Sequence, residues 1–152
     1  ISHLKGVIVG VGTLLSRQDV ENATKVGAKF GVSPGITEEL VIACEDNGLP
    51  LLGGVSSVSD IMKMLDKGYD LLKFFPAEIS GGVAALQAIN GPLPQVSFCP
   101  TGGISVINAR EYLKLKNVIC VGGSWMATPQ MIQNKDWSKI TDQAHFAASL
   151  GK

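Results

Sequence analysis

Short apolar runs, rich in β-branched residues, recur along the chain. Each is followed by glycine, proline, serine or threonine and then by a segment with helical spacing. The runs occupy residues 6–10, 28–32, 50–52, 71–75, 96–99 and 118–121. Their starts lie roughly 21 to 25 residues apart, the length of one strand, one helix and two short loops. Strands alternating with helices call for a parallel sheet with crossover helices, so the pattern predicts an α/β fold of about six strand–helix units.

The helices are legible between the runs. Ser16 is placed to cap the first, with Val20, Ala23 and Val26 on its inner face and Gly27 at its end. Thr37 opens the second, which ends near Gly48. The third begins at Ser59-Asp60-Ile61, turns Ile61, Met64 and Leu65 inward, and stops at Gly68. Residues 83–89 and 108–113 give a fourth and a fifth. Residues 137–150, with Ile140, Ala144, Ala147 and Ala148, give a final docking helix. No linker or low-complexity segment divides residues 1–152, which read as a single domain.

Chemistry enters through Asp70-Leu71-Leu72-Lys73-Phe74-Phe75-Pro76-Ala77-Glu78. Side chains alternate along a strand, so Leu71, Lys73 and Phe75 share one face and Leu72 and Phe74 the other. A buried ammonium without a partner is costly, and burial lowers a lysine pKa from its ordinary value of about 10.4. The neutral amine that results is a nucleophile able to form a Schiff base with a carbonyl. The competing reading of Lys73 is a strand-end side chain that snorkels to water.

Glycine-rich segments follow the apolar runs at Gly10-Val11-Gly12-Thr13, Ser33-Pro34-Gly35, Gly53-Gly54-Val55-Ser56, Thr101-Gly102-Gly103-Ile104 and Gly122-Gly123-Ser124-Trp125. In both a doubly wound sheet and a barrel the C-terminal strand ends carry the ligand site. Gly102-Gly103 and Gly122-Gly123-Ser124, after the last two strands, are the phosphate candidates, since glycine lets backbone N–H groups approach an anion. A purely structural role as tight turns is the alternative. The Gly10-Val11-Gly12 segment is not a dinucleotide fingerprint: Leu15 stands where a third glycine is required.

Composition narrows the partners. Thirteen basic and thirteen acidic residues cancel, which argues against a nucleic-acid or polybasic membrane surface. No apolar run reaches the length of a membrane span, and the N-terminus lacks a signal pattern. Cys44, Cys99 and Cys120 form no CxxC pair, so no zinc site or disulfide framework is expected; Cys99 and Cys120 read as small buried fillers, and a cytoplasmic setting fits. His3 and His145 read as solvated or helix-surface residues. No metal or cofactor is expected.

Leu72-Lys73-Phe74-Phe75-Pro76-Ala77-Glu78, then Gly91-Pro92, then Phe98-Cys99-Pro100-Thr101-Gly102-Gly103-Ile104-Ser105, then Gly122-Gly123-Ser124-Trp125 strongly resemble the 2-keto-3-deoxy-6-phosphogluconate (KDPG) and 4-hydroxy-2-oxoglutarate (KHG) aldolases. Gly10-Val11-Gly12-Thr13 and Ser33-Pro34-Gly35 fit in order and spacing, so the resemblance covers essentially the whole chain. It implies a class I aldolase on a (β/α)8 TIM barrel, without a metal and assembled as a homotrimer. That enzyme splits a phosphorylated 2-keto acid into pyruvate and glyceraldehyde 3-phosphate. It implies Lys73 as the Schiff-base lysine, with Thr13 at the pyruvate portion, Pro34 and Phe75 lining the pocket, and Thr101 fixing aldehyde stereochemistry. Gly102, Gly103 and Ser124 would bind phosphate.

Val11 and Gly53 depart from the family's usual alanine and proline. A barrel needs eight units against the six read here. The resemblance therefore implies two further units ahead of Ile1, bearing a glutamate acid/base and a carboxylate-binding arginine that no residue here matches. Six strands cannot close a barrel and leave two edges. Three readings stay open: part of a longer aldolase, a fragment folding as an open sheet or completed by another chain, and a non-catalytic phosphosugar binder. Glu78 is a candidate substitute base acting through one water, set against a loop-capping role.

Overall fold

Parallel pairing organises the computed structural model, which describes residues 3–151. The chain divides into two units, Ile1–Phe75 and Pro76–Lys152.

In the first unit, β1 (Gly10–Gly12), β2 (Phe30–Val32) and β3 (Leu51–Leu52) lie side by side in that order, all parallel. The crossovers between them are α1 (Arg17–Lys25) and α2 (Glu38–Asp46), which pack on each other. One residue beyond β3, the chain re-enters extended pairing as β4 (Gly54–Val55). That strand lies parallel to β5 (Leu71–Phe74), with Gly54 opposite Lys73, and α3 (Val58–Asp66) connects the two. The apolar run at residues 50–52 thus feeds two short strands with different partners, where one was expected.

Local chemistry sets the helix starts. The Ser16 hydroxyl accepts the Asp19 N–H at 3.2 Å, and the Asp19 carboxylate accepts the Leu15 and Ser16 N–H groups, each at 3.0 Å. This is a capping box, which satisfies backbone donors that a helix start leaves unpaired. Thr37 caps α2 through the Leu40 N–H at 3.2 Å. Ser57, rather than Ser59, caps α3 through the Asp60 N–H at 3.2 Å. The inner faces carry Val20 and Ala23 in α1, Leu40, Val41, Ala43 and Cys44 in α2, and Ile61 and Met64 in α3. Val26, expected inside, is the C-cap of α1 and is exposed, because the chain turns away after Lys25.

The second unit contains α4 (Gly82–Asn90), β6 (Ser97–Pro100), α5 (Ala109–Leu113), α6 (Pro129–Gln133) and α7 (Trp137–Ser149). Its core gathers Leu86, Ile89, Val96, Phe98, Ile104, Ala109, Tyr112 and Val118. The strand expected at residues 118–121 is reduced to two parallel bridges, Phe98 with Val118 and Thr101 with Gly122. Backbone bonds from Ile119 N–H to the Phe98 carbonyl (3.1 Å) and from Gly122 N–H to the Pro100 carbonyl (2.8 Å) keep the run alongside β6. The buried Asn117 ties it to α4 by donating from Nδ2 to the Leu86 carbonyl at 2.9 Å.

α6 was not foreseen; Thr128 caps it and Pro129 occupies its first turn. α7 packs with α6 but buries none of its own residues, so the expected docking face reaches only half-burial, at Ile140 and Ala147. Among the described residues, no helix is long and apolar enough to cross a membrane.

Candidate functional site

β5 presents Lys73 as the alternation predicts. Leu72 and Phe74 are fully buried on one face, Leu71 is exposed, and Lys73 and Phe75 are half-buried on the other. The backbone is pinned on both sides of the lysine, by Lys73 N–H to the Gly53 carbonyl (2.9 Å) and Phe75 N–H to the Val55 carbonyl (3.0 Å). The ammonium lies over the Phe75 ring, 4.5 Å from its centroid, a cation–π contact. The packed strand holds the Lys73 backbone still while the side chain stays reachable.

Phe75 and Pro34 come together in a cleft of ≈ 150 Å³ that also includes Gly54, Val55, Ser56 and Asp60. The loop carrying Pro34 is shaped from within: the fully buried Ser33 donates from its hydroxyl to the Gly35 carbonyl at 2.6 Å. Gly54 has no alternative at its position, because a Cβ there would run into the Pro34 carbonyl and the Gly35 nitrogen.

Thr13 lines a different cleft, of ≈ 270 Å³, between the end of β1 and residues Asp19, Asn22, Ala23 and Val26 of the α1 segment. Its backbone sits at φ 64. A β-branched residue rarely adopts this left-handed conformation, and such strain gathers where position matters. Beside it, the Leu15 N–H bond, followed by the Ser16 hydroxyl, holds the Asp19 carboxyl below the usual aspartate value.

The phosphate candidates lie in the second unit. Thr101 closes β6, and its side chain covers the face of Gly122 where a Cβ would stand. Gly102 and Gly103 follow at φ 96 and φ 80, two successive left-handed residues that only glycine adopts without strain. Asn108 holds the far side of this loop: Nδ2 donates to the Gly103 carbonyl at 3.0 Å, and Oδ1 accepts the Ser105 N–H at 2.8 Å. Gly123 lies under the Trp125 ring, and Ser124 is exposed. The fifth helix, expected at residues 108–113, follows this loop after a turn, with Asn108 as its N-cap and Ala109 as its first residue.

Glu78 lies in the turn after β5, and that turn is bonded to the same loop. Ala77 N–H bonds to the Thr101 carbonyl (2.8 Å) and Glu78 N–H to the Gly102 carbonyl (3.2 Å). The Glu78 carboxylate accepts a hydrogen bond from the phenol of Tyr112, a fully buried residue of α5. Burial first, and then this bond, push the Tyr112 phenol well above its usual range, so it stays a donor. Sequence reasoning missed Tyr112: its partner lies 34 residues away, and no local pattern marks the pair.

Cys44 and Cys99 are buried, but Cys120 is at the surface, contrary to expectation. Its thiol is pushed up chiefly by a hydrogen bond with the Cys99 side chain. His145 is exposed on α7, and among the described residues no group of three His, Cys, Asp or Glu side chains could hold a metal ion.

With this geometry in place, the chain can be set beside known proteins. The family model described as KDPG and KHG aldolase matches residues 1–143. The KHG/KDPG aldolase of Escherichia coli (strain K12) is 49% identical over 145 residues, covering 95% of this chain and 68% of the relative. The 2-dehydro-3-deoxy-phosphogluconate aldolase of Pseudoalteromonas atlantica is 46% identical over 148 residues, covering 97% and 69%. A crystal structure of KDPG aldolase from Legionella pneumophila, with pyruvate captured at low pH as a covalent carbinolamine intermediate, superposes with a TM-score of 0.90 at 46% identity, covering 93% of this chain and 69% of that one. The Zymomonas mobilis ZM4 aldolase with 3-phosphoglycerate gives 0.88 at 40% identity, covering 97% and 69%.

Proposed function

This chain belongs to the KDPG and KHG aldolase family, a family of carbon–carbon lyases, and from that premise we propose that Lys73 carries a class I aldolase reaction. The substrate is a phosphorylated 2-keto acid, KDPG, cleaved to pyruvate and glyceraldehyde 3-phosphate; KHG, cleaved to pyruvate and glyoxylate, is the second substrate.

The Lys73 amine adds to the C2 carbonyl to give a carbinolamine, which loses water to become an iminium. A base removes the C4 hydroxyl proton. The C3–C4 bond breaks, its electron pair passes into the iminium to form an enamine, and the aldehyde departs. Protonation at C3 and hydrolysis then release pyruvate and the free amine.

The observation that carries this reading is the placement of Lys73: half-buried between two fully buried neighbours, over the Phe75 ring. The ring suits both the ammonium and the iminium, since each puts positive charge on the same nitrogen. The pyruvate carbinolamine in the Legionella relative and the 3-phosphoglycerate in the Zymomonas relative support the two halves of the substrate. We assign Pro34, Phe75 and Thr13 to the keto-acid portion and Thr101 to the aldehyde. Gly102, Gly103, Gly122, Gly123 and Ser124 take the phosphate. Residues 1–152 act as one aldolase domain, cytoplasmic and assembled as a homotrimer.

The test is direct. The purified chain is given KDPG, and pyruvate and glyceraldehyde 3-phosphate are measured in separate coupled assays. Equimolar release of both supports the reading. Binding of KDPG without release of either product rejects it in favour of a non-catalytic phosphosugar binder. Light scattering on the same sample reads the assembly.

A further inference from the structure

We propose that Glu78 and Tyr112 are positioning residues that hold the Gly102-Gly103 loop in its anion-binding shape, an inference that rests on the phosphate role proposed for that loop. Three separate stretches converge on the Glu78 side chain. Its Cβ and Cγ fill the space where a Cβ at Gly103 would stand, and a Cβ at Gly82 would lie 3.5 Å from its Oε1 and 3.2 Å from the Tyr112 hydroxyl. Tyr112, anchored in the core, donates its phenol proton to the same oxygen. The backbone adds two bonds, Ala77 to Thr101 and Glu78 to Gly102, at 2.8 and 3.2 Å.

Gly103 is therefore gripped from both sides, by the stem of Glu78 on one and by Asn108 at 3.0 Å from its carbonyl on the other. Two consecutive left-handed glycines are intrinsically loose, since glycine has the most backbone freedom to lose. A loop that must aim N–H groups at an anion needs that freedom removed before the ligand arrives. Glu78 and Tyr112 supply the restraint without touching the ligand. Glu78 thus gains a structural task close to the loop-capping alternative, with the phenol as the partner that fixes it.

The restraint also explains why a carboxylate can stand beside an anion loop. Its Oε1 is turned to the phenol, a donor that keeps its proton, so part of its charge is satisfied within the fold.

The experiment titrates glycerol 3-phosphate into the full chain and into Glu78→Ala, Tyr112→Phe and Glu78→Gln by calorimetry. Borohydride trapping of pyruvate on Lys73 is measured in parallel. Loss of the charge-assisted bond is expected to weaken glycerol 3-phosphate binding about tenfold in Glu78→Ala and in Tyr112→Phe. That loss should exceed any loss of trapping. Glu78→Gln, whose amide oxygen still accepts from the phenol, should bind within about twofold of the full chain.

Binding within twofold of the full chain in both truncating variants overturns the inference and leaves the phosphate role standing. So does an equal fall of binding and trapping, which marks general disruption. A full chain that traps pyruvate yet takes up no glycerol 3-phosphate overturns the phosphate role and this inference together.

Discussion

Gly54 lies directly against the Pro34 carbonyl, closely enough that a Cβ on Gly54 would occupy the place of the carbonyl group. The contact couples β4, which pairs with the lysine strand, to the loop that carries one wall of the Phe75 cleft. Gly54→Ala must push that loop away. Forcing atoms into a packed interior costs about 1–3 kcal/mol, so a urea titration should show that loss. Pyruvate capture should fall with it, because Pro34 moves. An unchanged midpoint would mean that the loop yields freely.

The alternation along β5 separates stability from chemistry. Phe74 is fully buried, and Phe74→Ala should cost about 3–5 kcal/mol of stability. Lys73→Met, at a half-buried position that keeps an unbranched stem, should change stability by about 1 kcal/mol or less while removing all covalent chemistry. Paired thermal melts and trapping assays read the two effects apart.

Thr13 carries strain that a glycine would not. At φ 64 the β-branched side chain is out of place, and Thr13→Gly should stabilise the chain by about 1 kcal/mol or more. The same change removes the hydroxyl assigned to the keto acid, so pyruvate capture should weaken. Gain in one and loss in the other is the expected signature. Loss in both would show that Thr13 serves the fold alone.

The capping box of α1 predicts a pH dependence. The Leu15 N–H and the Ser16 hydroxyl hold the Asp19 carboxyl below its ordinary value of about 3.9. A depressed carboxyl stabilises the fold fully above that value and loses its contribution as pH falls through the lower, folded-state value. Ser16→Ala should cost about 1 kcal/mol at neutral pH. Its deficit should begin to narrow as pH falls below about 3.9, the unfolded-state value, and close as pH passes through the lower value at which Asp19 protonates in the folded parent chain. Urea midpoints at neutral pH and at pH 3 check the sign.

What could be read from residues alone was whatever depends on near neighbours. The Ser16 and Thr37 caps lie three residues from their partners, and the two faces of β5 follow from a two-residue period. The break at Gly53, which gives β3 and β4 different partners, depends on pairing with strands some 20 residues away on either side. The run at residues 118–121 is as apolar as a strand, yet Ile119 is 56% exposed, and the bridges are isolated ones at Val118 and, one residue past the run, at Gly122. Tyr112 lies in a five-residue helix with no pattern to single it out, and its hydrogen bond to Glu78 appears only when the fold brings the two together. The glycine-rich strand ends are legible from near neighbours, whereas the contacts of Glu78 with Tyr112 and with the Gly103 position are not, because they join residues distant in sequence.

Everything proposed for the site turns on Lys73 as the nucleophile. The decisive experiment is to incubate the chain with pyruvate, reduce with borohydride and map the product by mass spectrometry. One pyruvate-derived adduct is expected, on Lys73 and absent from Lys73→Ala. An adduct on another lysine, or capture that persists in Lys73→Ala, would contradict it.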